Sequence, residues 1–156
     1  MATRQEIVDT IRSGKAKVQE TFGSLSEEQL QTRIHEGEHG WTAKQVLAHL
    51  AGRGMGHDRT IKLAETGELP AGFDVNQWNQ QRVDERINKS RDELLAEFHR
   101  VHDALIQRVP GLSDELLAKT IPRGTGPMPL SDALRGGGGQ HSINHSEEVA
   151  KALKSG

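Results

Sequence analysis

Trp41-Thr-Ala-Lys-Gln-Val-Leu-Ala-His49-Leu50 reads as the opening of a helix that carries a histidine. Thr42-x-x-Gln45 is a capping-box pattern, in which the hydroxyl accepts from the third backbone N–H while the glutamine reaches back to the cap. Val46, Leu47 and Leu50 follow at helical spacing, and Ile61 extends the pattern to about Thr66. Working outward, three further segments carry the same periodicity. One runs from about Thr3 to Phe22, with Ile7, Ile11, Val18 and Phe22 on one face. Another is announced by Ser90-x-x-Glu93 and carries Leu94, Leu95, Phe98, Val101, Leu105 and Ile106 until Pro110-Gly111 stops it. The last is expected from Pro129 or Ser131 to about Leu153. No segment shows strand alternation, so the predicted fold is all-α: a four-helix bundle with long crossover connections, one domain over residues 1–156.

A weak internal repeat runs through these pieces. Gly23-Ser-Leu25-Ser26-Glu27-Glu28-Gln-Leu30 follows the first helix, and Gly111-Leu112-Ser113-Asp114-Glu115-Leu116-Leu117 follows the third. Each copy leads through a glycine-bearing connection into a histidine-bearing helix. Residues 67–89 are long for a plain bundle connection and are either a packed crossover or a functional loop.

A chain of 156 residues buries a sizeable core without staples, and with no cysteine it has neither disulfides nor a thiol nucleophile. The formal charge of −2, with both signs interleaved, leaves no basic footprint, so no nucleic-acid or membrane partner is expected. The polar start Met1-Ala-Thr-Arg-Gln-Glu and the lack of long apolar runs make a cytoplasmic location the expectation. There is no tyrosine to serve as a general acid.

The chemistry concentrates in histidine. His141 and His145 in His141-Ser-Ile-Asn-His145 stand at i and i+4, on one side of a helix, and His49 from another helix would complete a three-nitrogen site with open positions. The bland alternative is three ordinary helix histidines, hydrogen-bonded or solvated. Imidazole suits zinc, nickel, iron and copper alike. His99 and His102 share a helix face and read as a solvated pair. His57, eight residues beyond His49, is either a surface group or a proton carrier lining the pocket. No His-Glu-x-x-His occurs, and Glu36-x-x-His39, beside His35, contains Gly37, which argues against a carboxylate-bridged di-iron bundle. Neither a phosphate loop nor a dinucleotide fingerprint is present.

Trp41 followed by His49-Leu50, the stretch Asp74-Val-Asn76-Gln-Trp78-Asn79 and His141-x-x-x-His145 together make the chain resemble the DinB/YfiT-like family of metal-dependent four-helix proteins. That resemblance implies a divalent ion on His49, His141 and His145, zinc or nickel first and iron third. It also implies a small-molecule substrate, an activity of the thiol transferase or isomerase kind using an external low-molecular-weight thiol such as mycothiol, bacillithiol or glutathione, and a homodimer.

Glycines depart from the family pattern. Gly52, Gly54 and Gly56 follow His49, and glycines 136–139 immediately precede His141. Each costs a helix interior roughly 1 kcal/mol relative to alanine, about 4 for the run of four. At about 100° per residue, Gly52 and Gly56 fall near the azimuth of His49, and Gly137 and Gly138 near that of His141. The expectation is a cavity enlarged above the ion and lined by these four glycines with Arg53 and Gln140, made for a large ligand or altered for an unnatural substrate. Alternatively, glycines 136–139 form a loop and the helix begins near Gln140. Arg53 and Arg135 flank the clusters and are candidates for an anionic group. The sequence thus points to a metal-dependent transferase or hydrolase that activates water or a thiol, with His57, Asn144 and Gln140 as supporting groups. The alternatives are a non-catalytic or engineered small-molecule-binding bundle, and a bundle built for partner contact.

Overall fold

Thr3 accepts a hydrogen bond from the Glu6 amide and starts α1 (Arg4–Phe22), whose Ile7, Ile11, Val18 and Phe22 are buried. The computed structural model describes residues 1–34 and 39–155. After α1 come a short α2 (Glu27–Leu30), then α3 (Ala43–Ala51), α4 (Gly54–Thr66), α5 (Val75–Asp84), α6 (Arg91–Arg108) and a short α7 (Asp114–Ala118). The chain closes with α8 (Leu130–Arg135), a π-helical turn (Gly136–Gln140) and α9 (His141–Ser155). Both expected capping boxes form, Thr42 with Gln45 and Ser90 with Glu93. The two halves of the repeat also take one local form, since Ser26 caps α2 and Ser113 caps α7.

Two of the four expected long helices differ from a straight rod. The second is broken at Gly52-Arg53: Gly52 leaves helical geometry at ψ 8°, and Arg53 starts α4 without a side-chain cap. A Cβ on Gly52 would lie 3.1 Å from the Arg82 Cβ, so the bare glycine at the break lets α5 pack close. The fourth runs unbroken from α8 to α9, and the loop reading of glycines 136–139 is corrected: they are helical, in the wider π geometry. A two-residue antiparallel pairing, β1 (Thr120–Ile121) with β2 (Met128–Pro129), adds the small strand element that periodicity did not reveal.

Within residues 67–89 the α5 portion packs on the bundle, whereas residues 67–72 are exposed. Asp74 caps α5 by accepting from the Asn76 and Gln77 amides, Val83 is buried, and the Trp41 Nε1–H donates to Gln80 Oε1 at 3.0 Å. Its end is pinned to α6 by Arg86, which grips the buried Glu97 with two hydrogen bonds of 2.8 and 2.9 Å. Apolar side chains form two clusters. One holds Phe22, Leu47, Leu50, Phe98 and Val149; the other holds Ile7, Ile11, Ile61, Leu105 and Leu134. Between and beside them lie the histidines. Among the described residues, no helix is long and apolar enough to cross a membrane.

Candidate metal centre

His49 sits in the last turn of α3 and is buried; His141 and His145 occupy the first turns of α9. The pairing of these helices brings His49 Nε2 to 2.8 Å from His141 Nε2, and one ring nitrogen from each of the three histidines lies within 4.8 Å of the others. The rings meet edge to face, their centroids 4.4 to 5.3 Å apart. Behind His145, Glu148 Oε2 lies 3.1 Å from Nδ1, so a carboxylate fixes the ring and leaves Nε2 for the cluster. Trp41 packs on His49, and His39 stacks on Trp41.

Burial pushes His49 and His141 well below the ordinary histidine range, and the Arg53 charge pushes them further. His145 is lowered by burial against the opposing pull of Glu148. The imidazoles are therefore neutral near pH 7, the form that binds metal. Three neutral nitrogens, one backing carboxylate and an open side fit a divalent ion with positions left for other ligands.

The open side is a cavity of about 900 Å³. His141 borders it together with Arg53, Gly137, Gln140 and Asn144, all singled out by the sequence, and with Arg59 and Arg123, which were not. Asn144 Oδ1 accepts from the Gln140 amide at 2.9 Å. The other glycines face elsewhere, which corrects the glycine-enlarged cavity. A Cβ on Gly138 would lie 2.7 Å from Leu105 Cδ2, one on Gly139 2.6 Å from the Thr10 backbone, and one on Gly52 against Arg82. Gly56 meets Trp78 and Arg53 at 3.6 Å and is not among the residues lining the cavity. Close approach of neighbouring elements explains Gly52, Gly138 and Gly139, and only Gly136 and Gly137 of the run border the cavity. Arg135 turns away, its Nε–H donating to Thr10 Oγ1.

A second histidine layer lies beneath. His102 is 1% exposed, so the solvated-pair reading of His99 and His102 is corrected: His99 bonds Gln19, while His102 meets His57 edge to face at 5.0 Å. The His102 Nδ1–H donates to the Phe98 carbonyl, and burial lowers its pKa to about 4. His57 is buried as well, and among the described residues neither ring nitrogen has a hydrogen-bond partner of good geometry; burial drives it well down, against the Gly137 backbone, which favours its charged form. It lines a separate pocket of about 200 Å³ with Val101, Leu105 and Arg108. His35 and Glu36 lie outside the described residues. Glu148 was missed although its i+3 spacing from His145 could have announced it; Arg123, in the loop between β1 and β2, carries no such signal.

Comparison with known proteins agrees with this architecture. YfiT of Bacillus subtilis, described as a probable metal-dependent hydrolase with an unusual four-helix bundle topology, is 29% identical over 103 residues, 64% of this chain and 57% of YfiT. The matched part thus spans little more than half of that relative. Its structure superposes with a TM-score of 0.76 at 22% identity, covering 97% of this chain and 86% of YfiT. The mycothiol-dependent maleylpyruvate isomerase gives 0.67 at 17% identity, over 97% of this chain and 60% of the isomerase. The colibactin self-resistance protein ClbS, in complex with a dsDNA, gives 0.77 at 15%, over 99% and 97%. ClbS corrects the exclusion of nucleic acid drawn from charge, since a protein of this fold is found on duplex DNA. The profile of the DinB superfamily matches residues 10–149, and the chain belongs to that family.

Proposed function

We propose that the chain is a metal-dependent enzyme that turns water or a low-molecular-weight thiol on a small electrophilic substrate, a transferase or hydrolase. The observation that carries this is the convergence of ring nitrogens of His49, His141 and His145 within 4.8 Å, with His141 at the wall of the cavity. These three residues hold the ion, zinc or nickel before iron. When bound, a divalent ion supplies Lewis acidity and makes water or a thiol nucleophilic near neutral pH. Everything else is the work of the chain. Burial keeps the three rings neutral, and Glu148 holds His145 in its ligating orientation. Gln140 and Asn144, bonded to each other on the cavity wall, orient the substrate. His57 does not border this cavity and serves by packing beneath Gly137 rather than by meeting substrate. The likeness to YfiT supports a hydrolase, and the likeness to the mycothiol-dependent isomerase supports a thiol.

Elemental analysis of the purified protein beside His141→Ala tests this reading. About one equivalent of zinc, nickel or iron in the parent, lost in the variant, is the expected result. No metal in either chain after reconstitution overturns it.

A further inference from the structure

Among the described residues six of the twelve arginines find acids, while Arg33 and Arg135 donate to the Gly40 carbonyl and to Thr10 Oγ1. Arg4, Arg82, Arg86, Arg91, Arg100 and Arg108 each have a carboxylate oxygen within 4.0 Å. Arg53, Arg59 and Arg123 have none among the described residues, and these are the three that border the cavity beside His141. Arg53 is the extreme case. Among the described residues its buried Nε has no hydrogen-bond partner, and its one hydrogen bond is a long 3.4 Å bond from Nη2 to the Gly137 carbonyl. Burial, then the charges of Arg123 and Arg59, lower it to about 10, so it remains charged at neutral pH. Arg59 places its Cζ over the rings of Phe73 and Trp78, 4.4 and 4.3 Å from their centroids, with Nη1 buried and unpartnered among the described residues. Asp132, the one carboxylate among the described residues that border the cavity, accepts from the Ala2 amide at 2.7 Å and pairs with none of the three arginines. A buried, uncompensated guanidinium is costly, and three together repel one another; an anion among them removes both penalties.

The geometry places that anion. A Cβ on Gly137 would lie 3.1 Å from Arg53 Nη2 and 3.5 Å from Arg123 Nη2, so two guanidinium groups converge on a point of the wall where no side chain stands. Gly137 and His141 share a helix face one turn apart, roughly 6 Å. We infer that Arg53 and Arg123, converging over Gly137, form an oxyanion subsite that holds a carboxylate or phosphate group of a small molecule about one helical turn from His141. Arg59 adds charge at the rim beside an apolar wall of Leu63 and Phe73. The ligand is therefore a small organic acid or phosphate ester with an apolar body. That this ligand is the substrate rests on the metal-enzyme reading; the subsite itself does not.

Calorimetric titration of the chelator-treated protein with succinate, with inorganic phosphate and with neutral succinamide tests the subsite apart from any metal. Saturable binding of succinate, phosphate or both, none of succinamide, and about tenfold or greater weakening in Arg123→Gln are expected. Gly137→Ala keeps every charge yet inserts a methyl between the two guanidinium groups, and weakens binding likewise. Binding of succinate alone assigns the carboxylate source, and of phosphate alone the phosphate source. His141→Ala retains anion binding, so the subsite survives even where the metal reading fails. Absence of saturable binding of both anions overturns the inference, as does undiminished binding in Arg123→Gln and Gly137→Ala, each checked by circular dichroism to be folded. Arg123, half-buried on a loop, provides a variant that leaves the helical core untouched.

Discussion

On one side of the π-helical turn, a Cβ at Gly139 would lie 2.6 Å from the Thr10 backbone of α1; on the other, at Gly136, it would meet nothing within 4 Å. Four identical residues in sequence thus do two different things. Gly138 and Gly139 are buried and let α1, α6 and the turn approach closely, and a Cβ on Gly14 of α1 would in turn lie 2.9 Å from the Gly139 carbonyl oxygen. Gly136 and Gly137 leave bare wall on the cavity side. The helix propensity lost by the run is offset on one side by close packing. On the other it leaves room for ligand.

Gly139→Ala breaks the packed side most severely. Its clash is with backbone rather than with the end of a flexible side chain, so α1 has to move off the turn. Destabilisation of about 3 kcal/mol or more is expected in denaturant unfolding, at the upper end of overpacking effects. A loss below about 1 kcal/mol would mean that α1 does not lie where the structure puts it.

Acid attacks the same side from beneath. His102 is buried neutral with its pKa near 4 against an ordinary 6.5, so the folded chain refuses a proton that the unfolded chain accepts. Stability is therefore full above about pH 6.5, falls as pH drops toward 4, and falls no further on account of this residue. The shift corresponds to something on the order of 3 kcal/mol. Unfolding measured across that range in the parent and in His102→Leu should show the parent losing more stability than the variant, and identical slopes would place His102 in solvent.

Much of this was legible in sequence, and the failures have distinct physical causes. Thr42 with Gln45 and Ser90 with Glu93 announced two helices because capping is local chemistry. His141 and His145 could be put on one face because four residues of regular helix separate them. Azimuths failed where the helix was not regular. The break at Gly52-Arg53 turns α4 relative to α3, so Gly56 and His57 could not be placed from His49, and the π turn does the same for Gly138 relative to His141. His102 is a different case: it stands four residues after Phe98 and three before Leu105 on the apolar face of α6, and its burial was readable there. The cationic cavity was invisible to a net charge of −2, because Arg53, Arg59 and Arg123 meet only when the β1–β2 loop folds over α4.

Gly136→Ala has the smallest expected effect and sharpens the comparison most directly. The residue has φ −65° and ψ −59°, where alanine sits without strain, and no atom stands within 4 Å of the added carbon. Replacing glycine there removes unfolded-state entropy and improves helix propensity, for a gain of about 0.5–1 kcal/mol in unfolding free energy. The sign matters more than the size. The same chemical change three residues apart is expected to stabilise at 136 and destabilise at 139, which intrinsic propensity alone cannot produce; two losses would mean that the cavity side of the turn is packed as tightly as the α1 side.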